Sequence, residues 1–280
     1  MQRLLYPAIL VIVFLAAARS LPAATDDLDT RLMLATVKLT NPESTAGGFI
    51  LSRPAPKNSK MTQYILVTAG HVFRGMKGEE ATVVYRQPDA GGGYTKLPIK
   101  IKIRQGEKPL WTKHPQADVT VLYLSPPAKA AVPSVPVDLL ASDADLLKYE
   151  IHPGDQLKCI GFPHRFEAND AGFGVLRTGS IAGFPLLPTM KTKTFLADVN
   201  TFEGDSGSPV YLTETSRFYA GKVQPGRVQL ILGLMSGQHF IDEDIKMLYE
   251  SRKVKHRLGL GVVEHATFIR EAIDLLPKRE

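Results

Sequence analysis

Between Leu32 and Thr40 apolar and polar residues alternate and β-branched residues are frequent, and a Gly-Gly-Phe-Ile-Leu run from Gly47 to Leu51 follows a turn-forming Asn-Pro segment. Both stretches predict strands. Tyr64–Thr68, Ala81–Arg86, Leu97–Arg104 and Val119–Leu124 continue the pattern, separated by Gly, Pro and charged turns such as Asp89–Gly93. Short strands at this spacing predict a sandwich or a barrel. Four prolines between Ser125 and Val137 (Pro126, Pro127, Pro133, Pro136) remove backbone donors and fix φ, which predicts an extended connector and a domain boundary. A second strand-rich block runs from Asp155 through Leu212, then over Val228–Met235 and Leu258–Val263. In Glu264–Leu276 the apolar residues Phe268, Ile269, Ala272, Ile273 and Leu276 share one helical face, so a terminal helix is expected to pack on the β structure.

The first residues differ from the rest. Gln2-Arg3 precedes an apolar run from Leu4 to Ala18 and then small residues around Ser20, Ala23 and Ala24, the pattern of an export signal over residues 1–24. The run falls short of the roughly 20 residues of a spanning helix. A periplasmic or secreted protein without stable membrane insertion after cleavage is expected, an uncleaved anchor being the alternative. The expected organisation is signal 1–24, a first β domain 25–124, a linker 125–144, a second β domain 145–263 and a helix 264–280.

The 280 residues are 44% apolar, enough for a packed core. The net charge of +6 is spread along the chain and argues no nucleic-acid partner. The basic stretch Lys246–Arg257 is expected to be a solvated loop. Cys159 is the only cysteine, so no intramolecular disulfide can form despite the expected export. It lies in the apolar stretch Leu157–Phe162, where no basic neighbour is expected to lower its pKa, and is expected as a buried strand residue rather than a nucleophile. Seven scattered histidines offer no ligand-pair spacing, so neither metal nor cofactor is expected.

Three segments carry chemistry. Thr68-Ala69-Gly70-His71 closes an apolar strand, Ala117-Asp118 opens another, and Gly204-Asp205-Ser206-Gly207-Ser208-Pro209 flanks a serine with glycines. Acyl transfer by serine needs a nucleophile, a base and a carboxylate that orients the base. Each of the first two has an ordinary reading, as a histidine at a strand end and an aspartate in a turn. The third is more specific, because its glycines let the backbone turn sharply and expose the hydroxyl. The N–H groups of Gly204 and Ser206 can then converge on a developing oxyanion.

On these motifs, TAGHV, ADVTVL and GDSGSP, the chain resembles the trypsin-like (chymotrypsin-fold) serine peptidases, most closely their bacterial HtrA-type and glutamyl-endopeptidase-type branches. The order His71, Asp118, Ser206 is the family's; an α/β-hydrolase would run serine, acid, histidine around a GxSxG elbow, whose second glycine is here Ser208. The resemblance extends through GDQLKCIGFP to the last helix. It implies an all-β fold of two antiparallel barrels with a C-terminal helix, the first barrel supplying His71 and Asp118 and the second Ser206, acting on protein or peptide substrates. It also implies a substrate-binding strand at Gly233–Gly237, with Ser236 near the buried aspartate. Asn200 would lie near the base of the primary specificity pocket, with Gly237 and Gln238 on one wall and Val262-Val263 nearby. Uncharged Asn200 predicts a small or medium apolar side chain before the scissile bond. His239 is similar to the pocket histidine of glutamyl endopeptidases, or is a loop histidine.

No zymogen activation sequence matches the family's, so activity without a further N-terminal cleavage is expected, and Asp205 must find another partner or stay solvated. The residues after Leu276 are too few for the PDZ domain of HtrA-type proteins. Two rivals stand beside the peptidase: a catalytically silent binding protein on the same fold, and an esterase with the same triad.

Overall fold

The computed structural model describes residues 27–55, 58–247 and 250–278; the expected export signal, residues 1–24, lies outside the described residues. The chain begins with a helix, α1 (Leu28–Ala35), where alternation predicted strand from Leu32. Asp27 accepts from the Thr30 N–H as an N-cap, and Leu28, Leu32 and Ala35 are buried on one face, so helical spacing and capping overrode the alternation. Strand follows only at β1 (Thr36–Thr40).

The first module continues with β2 (Thr45–Ala55), β3 (Asn58–Ala69), the short helix α2 (Gly70–Gly75), β4 (Glu80–Pro88) and β5 (Tyr94–Lys102). A two-stranded ribbon of β6 (Arg104–Gln105) and β7 (Lys108–Pro109) leads to β8 (Thr112–Lys113) and β9 (Val119–Leu124). These strands, other than the ribbon, form a seven-stranded sheet in the order β5-β4-β1-β2-β3-β9-β8, its neighbours all antiparallel. Among the described residues no ladder joins β5 to β8, so the first barrel has a seam. Every residue of β9 is buried, as expected of a strand covered on both faces.

The connector bridges the modules. Ser52 N–H of β2 donates to Val135 C=O, and Ala141 N–H donates to Ile231 C=O. The connector turns over Pro127–Ala130, where the Ala130 N–H donates to Pro127 C=O, and a 3₁₀ turn (Val137–Leu139) and α3 (Asp143–Lys148) follow Pro136, so the expected extended connector is interrupted. Ser142 caps α3 in a reciprocal box with Asp145, a local signal strong enough to start a helix inside the expected linker.

The second module contains β10 (Gln156–Gly161), β11 (Val175–Ile181), α4 (Thr189–Thr192), β12 (Thr194–Asp198), β13 (Pro209–Tyr219), β14 (Lys222–Lys246) and β15 (Ser251–His265). Six strands close as β10-β11-β12-β15-β14-β13. The fold is therefore all-β, with two antiparallel barrels and a C-terminal helix, α5 (Ala266–Asp274), packed on β8, β9, β14 and β15. Its buried residues include Phe268, Ile269, Ala272 and Ile273, the face its spacing predicted. Of the basic stretch expected as a loop, Lys246 and Ser251–Arg257 are strand instead: β14 and β15 stay paired from Phe240↔Arg257 to Lys246↔Ser251, forming an exposed ribbon beyond the barrel. Cross-strand neighbours of opposite charge, such as Asp242↔Lys255 and Asp244↔Lys253, favour that pairing over solvated coil.

Candidate active site

β3 and β9 pair antiparallel up to Ala69↔Val119, which brings the ends of the two strands side by side. His71 lies in α2 just past that end, and Asp118 just before β9. Gly70 N–H donates to Asp118 C=O at 2.9 Å, and His71 Nδ1 meets Asp118 Oδ2 at 2.6 Å. The close approach requires glycine at 70, where a Cβ would sit 2.9 Å from Asp118 Oδ1. Burial pushes the Asp118 carboxyl up, but the hydrogen bonds and charge of His71, with Arg74 beyond, outweigh it and hold the group below its ordinary value.

Ser206 is brought to the same place by contacts between modules. Gly47 N–H of β2 donates to Ser206 C=O at 2.9 Å, and Thr68 Oγ1 of β3 donates to Gly47 C=O. Gly207 takes φ +87°, and a Cβ there would lie 2.2 Å from Thr68 Oγ1 and 2.3 Å from Gly47 C=O. Any side chain at 207 would push the serine loop off the first barrel. His71, Gly204 and Ser206 line one cleft of about 520 Å³, with Glu43, His164, Arg165 and Glu203 on its walls. No hydrogen bond joins Ser206 Oγ to His71 among the described residues.

Gly204 has φ +99°, and a Cβ would sit 2.2 Å from Phe162 C=O. The Glu203 carbonyl accepts from His164 N–H at 2.7 Å. Because a trans peptide sends its C=O and N–H to opposite sides, that bond fixes the direction of the Gly204 N–H. His164 and Arg165 both hold positive φ, +50° and +69°, so the segment that grips Glu203 is itself strained.

Asp205 does find a partner. Arg177 on β11 forms a bidentate pair with it, Nη1 to Oδ2 at 2.9 Å and Nη2 to Oδ1 at 2.6 Å, and Phe202 N–H adds a third bond at 2.8 Å. The Asp205 side chain is 1% exposed. Burial pushes its carboxyl up, against the pull of Arg177 and of the Phe202 and Phe162 backbone. Sequence pointed to the need but not to Arg177, which lies 28 residues upstream of Asp205 and reaches it only through barrel closure. Arg177 is also the ladder partner of Cys159, so the cysteine has a basic neighbour that the sequence hid. Burial nevertheless dominates and pushes the thiol up to about 12, as suits a buried strand residue and not a nucleophile.

The predicted specificity residues are divided. A recess of about 100 Å³ beside Ser206 is lined by Thr201, Phe202, Met235, Gly237 and Gln238 among others, with Thr201 and Met235 both buried. Asn200 does not line it; it is exposed, and its carbonyl accepts from Arg177 Nη1 at 2.6 Å. His239 is exposed and does not line it either. Ser236 Oγ donates to Val262 C=O at 3.2 Å rather than to Asp118. Glu264, buried on β15, lies near Asp118 from the second barrel: burial and the Asp118 charge push its carboxyl up, while the Asp118 backbone pulls it down. Among the described residues no group of His, Cys, Asp and Glu is placed to hold a metal ion.

No protein-family model matches the chain, and no curated protein matches it. Among solved structures the chain is similar to the crystal structure of Rv3671c from M. tuberculosis H37Rv, a serine-to-alanine mutant in its inactive form, at 15% sequence identity over 90% of this chain and 91% of that chain, with a TM-score of 0.47.

Proposed function

We propose that this chain is an exported serine endopeptidase of the trypsin-like kind, hydrolysing peptide bonds through an acyl-enzyme with His71, Asp118 and Ser206 as its triad. The observation that carries the reading is the 2.6 Å His71–Asp118 contact on a cleft that Ser206 also lines. Held by Asp118 through Nδ1–H, the ring presents Nε2 as a base for the Ser206 hydroxyl, which attacks the substrate carbonyl. The same nitrogen returns the proton to the leaving amine, and Asp118 stabilises the imidazolium between the two steps. The N–H groups of Gly204 and Ser206 receive the oxyanion.

Substrate binds as an added strand. Past Met235 the β14 edge is no longer bonded to β13 or the serine loop, so from Ser236 onward it is open to an extended polypeptide. A side chain before the scissile bond enters the recess lined by Thr201, Met235, Glu203 and Asp205, whose volume of about 100 Å³ admits a small or medium group and whose lack of a basic residue gives nothing to hold an acidic one. Exposed His239 gives no support to selection for Glu, and Asn200 none to selection for Lys or Arg. Because Arg177 already engages Asp205, the site needs no new N-terminus to hold the serine loop, and the protein is active without a further nick.

A fluorophosphonate probe should label the purified protein, and Ser206→Ala should abolish both labelling and casein digestion, by about 10⁶-fold in turnover. Labelling that survives the substitution removes the assignment. Turnover of small esters without digestion of denatured casein would make the chain an esterase, and neither activity would make it a silent binding protein.

A further inference from the structure

His114 is buried at the turn between β8 and β9, three residues before the Ala117-Asp118 pair closes, and the chemistry described so far does not use it. Its ring is saturated with partners. Nδ1 accepts from the backbone N–H of Gln116 at 3.2 Å and of Ala117 at 2.9 Å, and Nε2 meets Glu271 Oε2 on α5 at 2.8 Å. An imidazole nitrogen that accepts two N–H groups carries no proton, so the proton sits on Nε2 and is donated to Glu271. The ring also packs edge-on against Phe268 of the same helix, centroids 5.1 Å apart. His114 N–H donates to Val119 C=O at 2.9 Å, which closes the turn.

These bonds tie down the backbone of the turn that delivers Asp118. The N–H groups of residues 116 and 117 go to His114, and the C=O of 118 takes the Gly70 N–H. Without the imidazole acceptor both N–H groups lose their partner; Gln116 is exposed and its N–H can turn to water, but Ala117 is buried, and its N–H reaches water only if the turn rotates. Rotation there moves the carboxyl that faces His71.

We propose that His114, with its tautomer set by Glu271, is a positioning residue for the reaction, holding the 114–118 turn so that the Asp118 carboxyl meets His71 Nδ1. This rests on the peptidase reading only for the meaning of that contact; the placement of Asp118 is a separate question with its own readout.

Two substitutions separate acceptor from packing. His114→Phe keeps a ring against Phe268 but has no acceptor, whereas His114→Asn puts an amide oxygen near the position of Nδ1 and removes the ring. If the acceptor matters, His114→Phe lowers kcat by about 10²-fold, as a displacement of about 1 Å in a catalytic group does, with KM near wild type, and His114→Asn stays close to wild type. The low-field proton resonance of His71 Nδ1–H, assigned by its loss in His71→Ala, should persist in His114→Asn and disappear or move upfield in His114→Phe. Any other ordering in folded variants overturns the proposal: His114→Phe retaining kcat and resonance, or His114→Asn losing them. Should neither variant fold, the ¹⁵N spectrum of the wild-type His114 ring decides, a proton on Nδ1 overturning the proposal and a bare Nδ1 supporting it. Should the probe fail to label wild type, the peptidase reading falls, while the resonance and the ring tautomer still report on His114.

Discussion

Asp118 and Asp205 approach the same cleft from different modules, and their carboxyls are held by different chemistry. Asp118 is 28% exposed and is drawn below its ordinary value by a histidine ring and by backbone N–H. Asp205 is 1% exposed, is pushed up by burial, and is gripped on both oxygens by a guanidinium. A partly wet carboxylate against an imidazole can respond when charge appears on the ring, as the role proposed for His71 requires. A dry carboxylate locked to Arg177 responds to nothing; it is a strut that sets the loop of Ser206. Under the proposed peptidase reading, burial and partner, not residue type, separate the aspartate that takes part in the reaction from the one that supports it.

The sharpest way to break that contrast is Asp118→Asn. The change preserves the shape but lets the amide favour the wrong ring tautomer, and turnover should fall by about 10⁴-fold with little change in folding. A loss under tenfold in peptide turnover would show that Asp118 is a strut as well. Arg177→Gln should act in the opposite manner. Leaving Asp205 buried without its cation should cost about 3–5 kcal/mol of stability, read in urea unfolding, and should disorder the serine loop in whatever fraction stays folded. Unchanged stability would mean that the Phe202 N–H and water suffice for Asp205.

The smallest expected effect is a pH dependence that separates the two kinds of site. His265, buried beside α4 with its ring 3.2 Å from Thr192 Oγ1, is pushed down to about 4 by burial, against the pull of Asp143. Its unfolded value is about 6.5, so between those limits the unfolded chain binds more protons and stability falls as pH falls, by on the order of 3 kcal/mol in all. Asp118 has the other sign of shift: its contribution is present above the unfolded value of about 3.9 and is lost as pH drops through the lower folded one. Chemical denaturation from pH 8 to pH 3 should thus show loss beginning near 6.5, and His265→Leu should flatten that limb while leaving the more acidic one. An unchanged limb in the variant would assign the loss to another group.

Local signals in the chain were enough for the strands around Val119–Leu124, for the apolar face of α5 and for the three motifs that carry His71, Asp118 and Ser206, because strand alternation, helical spacing and glycine-flanked turns are properties of a few adjacent residues. Where sequence reading failed, a local cue competed with another, as at Leu32–Ala35, where Asp27 capping won over alternation, or the outcome depended on cross-strand pairing, as in the Lys246–Arg257 arm. Arg177 under Asp205, Glu271 against His114, Glu264 near Asp118, and Thr201 in place of Asn200 in the recess were decided by tertiary structure alone. Each is a contact between residues distant in sequence that exists only once the sheets have closed and water has left. A charge, an acceptor or a pocket wall acquires its partner at that moment, and no spacing along the chain encodes it.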